Sequence, residues 1–325
     1  MEFGLQLANL EWSALRDAAQ MAEGLGFHAL FVPDHIVAEG PEHQFDPHFL
    51  SYDPMIEIAV ISEATKKVRV GHLVLCNLFR HPAITAQSLV SLDRLSGGRL
   101  VAGLGTGWTE REFQMTGIAF PDIGLRLRML DEALSCIRSL WTRDETTFSG
   151  EFYQFRDAIL WPKPVQQPHP PILLGGGGKG LLRVAAKHAD IVNIISDAGK
   201  PGYIKLANIS KLTDDSFRGK VRFLREEAQR QGRDASTIQI SNAIFSTVIT
   251  DSPAATQAMA EGMAPMFNST PEGMLHSPLA LIGTPEQCIA ELRRRQRDWE
   301  VSHVTFSFAG EDVLKRLATE VLPHV

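Results

Sequence analysis

The chain has little cysteine: three in 325 residues, odd in number and far apart at Cys76, Cys136 and Cys288. That leaves no material for a disulfide framework or a paired Cys-x-x-Cys metal site. Free thiols in a reducing cytoplasm are the simpler expectation. No apolar run approaches the roughly 20 residues that cross a bilayer, so no membrane span is expected. The opening MEFGLQLANLEW has no basic flank and no long apolar stretch, unlike a secretory leader, and reads as an early strand. Net charge is −6, with Lys and Arg spread along the chain, so the basic footprint of a nucleic-acid binder is missing. Linker-like Gly/Ser runs and internal repeats are absent too. One domain over 1–325, in a soluble cytoplasmic protein, is therefore expected.

What is present is an alternation. Eight β-rich runs, at 3–8, 29–33, 68–76, 99–105, 171–176, 190–195, 238–249 and 303–308, are separated by longer helical patterns. Leu15, Ala18, Ala19, Ala22 and Leu25 show the i, i+3, i+4, i+7 spacing of a helix with one apolar face. The stretches 125–141 and 285–299 read the same way. Pro82 and Pro285 stand where a first helical turn belongs, and Thr284 is a ready N-cap. Gly97 and Gly98 follow the third helical pattern as a left-handed C-cap would require. Alternating strands and helices imply parallel strands joined by right-handed crossovers. Eight such units predict an α/β fold of the (β/α)₈ barrel type, about 250 residues with longer loops supplying the surplus. The surplus falls at 36–52, a polar His-rich loop, at 142–170, a hairpin with a Pro-rich return, and at 264–283.

In such a barrel chemistry gathers at the C-terminal strand ends. The second strand runs into Asp34 and His35. A histidine there can act as acid, base or orienting donor, with Asp34 fixing its tautomer. Alternatively both simply satisfy a loop backbone. The third strand ends in Leu75-Cys76-Asn77, and Arg80 follows just ahead of a helix start. Arg80 can welcome an anionic ligand there or pair with a loop carboxylate. Gly103-Leu104-Gly105-Thr106-Gly107-Trp108 closes the fourth strand; its glycines admit a flat ring or merely turn the chain.

The sharpest signal is Gly175-Gly176-Gly177-Gly178-Lys179-Gly180, placed between an apolar run and a helical pattern. Strand, glycine loop and helix N-terminus make a phosphate cradle, since free N–H groups converge there. The stretch also fits G-x-G-x-x-G, with Asp197 about 20 residues on. Four strand–helix units already precede it, which argues against a dinucleotide-binding domain opened by that motif. His43, Asp46 and His48 share one loop but lack a matching ligand set, so no metal is expected.

Several stretches together resemble a known family. VPDHI, LVLCNLFRHPAITAQSLVSLDRLSGGRLVAGLGTGW, PPILLGGGGKGLLRVAAKHADIVNI and SPLALIGTPEQCIAELRRR are similar to the luciferase-like monooxygenase family, in order and over nearly the whole chain. The nearest likeness is to its branch assigned to the deazaflavin coenzyme F-420. The resemblance implies a barrel with F-420, or alternatively FMN, at the strand ends, and commonly a homodimer. It implies that His35 is the active-site histidine with Asp34 beside it. Leu75, Cys76 and Asn77 would match the third strand end, where many members have a non-prolyl cis peptide under the ring. Gly105, Thr106 and Gly107 would contact the ring or its tail, and Gly175, Gly176, Gly177, Gly178 and Lys179 would hold the phosphate.

Deazaflavin sugar-phosphate dehydrogenases carry a Glu after Gly-Thr-Gly, where this chain has Trp108. That points the substrate, a small molecule, toward apolar chemistry, with Trp108 and Arg80 as pocket candidates. Hydride transfer through a deazaflavin is the expected activity, and oxygenation with reduced FMN from a separate reductase is the alternative. A non-catalytic flavin-binding barrel, or an aldolase or isomerase barrel for a phosphorylated substrate, are rivals. The last wants a strand-end Lys or a carboxylate set, and the strand ends offer neither.

Overall fold

The central strands bury both faces. Ala29–Val32 and Leu100–Gly105 bury every residue, as parallel strands do when helices cover one side and a packed interior fills the other. A computed structural model of the chain describes residues 1–39, 45, 46, 48, 50–196 and 211–325. Its barrel strands are β1 (Glu2–Gln6), β2 (Ala29–Val32), β3 (Arg69–His72) and β4 (Leu100–Gly105), then β5 (Ile172–Gly175), β6 (Ile191–Ile194), β7 (Gln239–Ile244) and β8 (Val301–Ser307). All neighbours pair in parallel, β8 returns to β1, and β5 closes on β4 with Leu173 opposite Gly103. This is the closed eight-stranded barrel that the alternation predicts.

Helices α1 (Trp12–Gly24), α2 (Pro54–Ala64), α3 (Pro82–Leu95), α4 (Glu110–Thr116) and α5 (Ile123–Thr142) occupy the first half. They are followed by α6 (Lys179–His188), α7 (Asp214–Arg230), α8 (Pro253–Met263), α9 (Pro271–Leu275), α10 (Pro285–Trp299) and α11 (Glu311–Arg316). Leu15, Ala19 and Ala22 are buried on α1, so the apolar stripe does face the strands. Thr284 caps α10 with a reciprocal capping box to Gln287, ahead of Pro285 in the first turn. Inside the barrel Ala29, Phe31, Val101, Leu173 and Ile191 form a packed cluster, with Leu73 and Val74 above it. The barrel is a core and not a pore.

Two strand expectations are corrected. The run at 68–76 breaks at a cis Leu73–Val74 peptide, and Leu75–Cys76 is a separate two-residue strand on β4. The run at 238–249 leaves the barrel after Ile244, and Ser246–Ile249 pairs with Ala280–Gly283 instead. Within 142–170, Thr146–Ser149 and Gln154–Ala158 form the expected antiparallel hairpin. The 264–283 stretch is tied down by Arg295 of α10, fully buried, which donates to Asn242 and to the carbonyls of Ser277 and Ala280. Among the described residues no helix is long and apolar enough to cross a membrane.

Candidate active site

The C-terminal ends of β2, β3 and β4 meet in one buried polar network. Asp34 accepts both guanidinium nitrogens of Arg80, at 2.7 and 3.2 Å, and the Cys76 N–H at 2.8 Å. Burial pushes the Asp34 carboxyl upward, and the Arg80 and Cys76 hydrogen bonds pull against that shift. The expectation that Asp34 orients His35 is thereby corrected: its hydrogen bonds go to Arg80 and the Cys76 amide, and the ring bonds to another carboxylate. Arg80 also reaches Asp53 at 3.2 Å, so of its two sequence readings the pairing with loop carboxylates is the observed one. It is not an open anion site.

The carboxylate on His35 is Glu112, which sequence reasoning missed. Glu112 Oε1 lies 3.1 Å from His35 Nδ1 and accepts the N–H groups of Ile36 at 2.6 Å and Val37 at 3.3 Å. Glu112 is 3% exposed. Thr109-x-x-Glu112 at the start of α4 has capping-box spacing. Neither half of the box forms. Thr109 makes no capping bond, its buried Oγ1 has no partner among the described residues, and Glu112 reaches across to the loop after β2. That unused motif, directly after Gly-Thr-Gly-Trp, is the one local signal that marks Glu112. The His35 side chain, 28% exposed, meets Trp108 edge to face at 5.5 Å between ring centroids.

At the third strand end Gln6 Nε2 donates to the Leu73 carbonyl at 3.1 Å, and Ser307 Oγ donates to Gln6 Oε1 at 2.7 Å. The Leu75, Cys76 and Asn77 side chains are all buried, whereas Leu73 and Val74 keep some surface. Burial pushes the Cys76 thiol up to about 12, so it is no nucleophile at neutral pH. Asn77 donates to the Tyr153 hydroxyl at 3.4 Å, linking the strand end to the 142–170 hairpin. A Cβ on Gly105 would sit 2.7 Å from a Val74 methyl, and one on Gly175 3.1 Å from the other. These glycines make room for Val74. Thr106 is half-buried, and the Gly107 carbonyl accepts Arg126 at 2.5 Å.

Across the mouth, β5 runs through the glycine loop into α6. Gly178 is the N-cap and has no side chain to cap with. The first helical bond is Leu182 N–H to the Gly178 carbonyl at 3.0 Å, so the amides of Lys179, Gly180 and Leu181 precede it. A Cβ on Gly177 would fall 1.9 Å from the Ile195 carbonyl oxygen, so only glycine fits. Lys220 Nζ donates to the Gly177 carbonyl at 2.6 Å, and Lys179 Nζ lies over the Phe223 ring at 5.5 Å. The cradle is thus made of backbone amides, and a phosphate fits it. Gly176 lies in the fifth strand–helix turn of a closed barrel, so the dinucleotide-domain reading is set aside. His43 and Asp197 lie outside the described residues. At the ends of β7 and β8, Phe245 and Phe308 are exposed, 41% and 77%, with ring centroids 6.2 Å apart. Sequence reasoning missed both.

The closed barrel and the placement of these groups at one end define the class. The chain belongs to the luciferase-like monooxygenase family, whose sequence model matches residues 2–302. It is 26% identical to an F-420-dependent glucose-6-phosphate dehydrogenase of Amycolatopsis mediterranei, over 96% of this chain and 94% of that one. It is 31% identical to an FMNH(2)-dependent dimethylsulfone monooxygenase of Pseudomonas putida, over 54% of this chain and 46% of the other. An uncharacterised protein of Mycobacterium bovis is 35% identical over half of this chain, a match spanning 60% of that relative's own length. Among solved structures, an F-420-dependent secondary alcohol dehydrogenase superposes with a TM-score of 0.77 at 22% identity, covering 100% of this chain and 98% of that one. The relatives thus include F-420-dependent and reduced-FMN-dependent enzymes.

Proposed function

We propose that the chain is a one-domain oxidoreductase that seats a deazaflavin of the F-420 type at the barrel mouth and moves hydride to or from a small, fairly apolar substrate. The observation that carries this reading is the pairing of His35, held on Glu112 and open beside Trp108, with a bare amide cradle across the mouth. When bound, a deazaflavin supplies a hydride donor or acceptor, and reduced FMN would supply oxygen activation instead. The amides of Lys179, Gly180 and Leu181 hold the phosphate, with Gly175, Gly176, Gly177 and Gly178 leaving it room. Leu73 and Val74, backed by Leu75, Cys76 and Asn77, form the floor, and Gly105, Thr106 and Gly107 form a side. His35 hydrogen-bonds or exchanges a proton with the substrate. Trp108, Phe245 and Phe308 give the mouth its apolar walls and exclude water. A sugar phosphate suits this mouth poorly, because Arg80 is engaged by Asp34 and Asp53 and no Glu stands at Trp108.

The F-420 reading is supported by the near full-length likeness to an F-420-dependent relative, and the FMN alternative by the shorter likeness to the dimethylsulfone monooxygenase. Under the alternative a separate reductase supplies the reduced flavin. A homodimer in the cytoplasm belongs to either version. Titration of the purified protein with F-420 and with FMN, each oxidised and reduced, tests the reading by absorbance and fluorescence. Saturable F-420 binding tighter than FMN binding is expected. The reverse order moves the chain to the monooxygenase alternative, and binding of neither overturns both.

A further inference from the structure

We propose that Glu112 is a positioning residue that holds His35 in the tautomer with hydrogen on Nδ1, leaving Nε2 as the proton acceptor at the barrel mouth. The inference rests on the reading of His35 as the acid–base group. It follows from what Glu112 already accepts. Its Oε1 takes the backbone N–H groups of Ile36 at 2.6 Å and Val37 at 3.3 Å, so that oxygen presents lone pairs and not a hydrogen. The third contact, 3.1 Å to Nδ1, is a hydrogen bond only when Nδ1 carries the hydrogen. A neutral imidazole has one N–H and one lone pair, so the lone pair falls on Nε2.

Among the described residues, Glu112 is the carboxylate that hydrogen-bonds the ring. Asp34 is engaged by Arg80 and the Cys76 amide and makes no hydrogen bond to the ring, and Trp108 meets the imidazole through its own ring. Glu112 is buried while the His35 side chain keeps 28% exposure. Free histidine prefers the opposite tautomer, with hydrogen on Nε2. The carboxylate therefore reverses an intrinsic preference. The same three contacts tie the loop after β2 to α4, so the tautomer and the placement of His35 are set by one group. A substrate that meets Nε2 is one with a hydrogen to give, an O–H or N–H, in preference to an ether or an ester.

The tautomer is read directly in the cofactor-free protein. Uniformly ¹⁵N-histidine-labelled protein is recorded by long-range proton–nitrogen correlation, at a pH where the ring is neutral, and the His35 signals are assigned by their loss in His35→Gln. A protonated Nδ1 with a bare Nε2 is expected, and a protonated Nε2 as the major form overturns the proposal. Glu112→Ala is expected to shift His35 toward the Nε2–H form, and Glu112→Gln, whose amide oxygen still accepts, to retain Nδ1–H. An unchanged tautomer in Glu112→Ala assigns the residue a purely structural role and overturns the proposal. Should Glu112→Ala fail to fold, the wild-type and Glu112→Gln spectra still decide. With a substrate in hand, Glu112→Ala should lower kcat on the order of 10²–10⁴-fold, the range of a whole acid–base contribution, with KM little changed and Glu112→Gln largely restoring it. The spectrum needs no cofactor, so a protein that binds neither F-420 nor FMN removes the functional reading and leaves this test standing.

Discussion

The two sides of the barrel mouth are built from different materials. On the β2–β4 side, side chains are held by other side chains: Arg80 by Asp34 and Asp53, and His35 by Glu112. On the β5 side the donors are backbone amides of a glycine loop, and the nearby lysines are turned to other tasks, Lys179 to Phe223 and Lys220 to a carbonyl. The first arrangement holds an imidazole in a fixed direction, as the proposed acid–base role needs. The second presents free amides at a helix N-terminus, the donors the proposed phosphate would meet, and amides are the same whatever side chain follows them. Side-chain substitutions should therefore bite hard on the first side, and only backbone-changing ones on the second.

The largest break of this contrast is expected at His35. His35→Gln should reduce turnover on the order of 10²–10⁴-fold while leaving cofactor affinity nearly unchanged, measured by steady-state kinetics beside a binding titration. Next in size is stability. Asp34→Leu strands the Arg80 guanidinium at its main partner and should cost about 3 kcal/mol in urea unfolding, with the Asp34→Leu/Arg80→Leu double variant less harmed than the single one. Equal losses in single and double variants would mean that Arg80 is not the group left stranded.

The same side also carries a pH dependence. Burial pushes the His72 imidazole down to about 3, with the nearby Arg80 adding to the shift. The unfolded chain takes up that proton near 6.5, and the folded chain refuses it until about 3, so unfolding binds protons in that window. Stability then falls as pH drops through 6.5, by about 2 kcal/mol at pH 5 relative to pH 8. In His72→Leu that part of the slope should vanish.

On the β5 side, Gly177→Ala forces a methyl toward the Ile195 carbonyl and should weaken cofactor binding about tenfold, a loss of about 1.4 kcal/mol. Lys179→Ala should change affinity by less than about threefold, since its side chain lies over Phe223 and an exposed cation–π contact is worth only ~0.5–1 kcal/mol. A much larger loss at Lys179 would erase the contrast between the two sides.

Much of the barrel was legible because its signals are local. The Leu15 to Leu25 stripe, the Thr284-Pro285 start and the glycines after α3, Gly97 at φ +69° and Gly98 at φ +84°, each depend on residues a few positions apart. The glycine loop was legible for the same reason. The strand breaks at Leu73–Val74 and after Ile244 were not, because β-favouring residues continue past each break and only pairing distinguishes the parts. The partner of His35 was misassigned to Asp34, its neighbour in sequence, when the bonded carboxylate stands 77 positions away.

The sequence by itself determined that eight strand–helix units close a barrel and that a glycine loop leads from the fifth strand into a helix. Periodicity and turn chemistry are carried from one residue to the next, so both can be read before the chain folds. The tertiary structure alone decided which carboxylate meets which cation or ring. Asp34 and Glu112 are both acids near the mouth, and their roles separate only when Arg80 and the Cys76 amide meet one and His35 with the Ile36 and Val37 amides meets the other. A buried oxygen has room for few donors, and the order in which distant strand ends bring them is a property of the closed barrel.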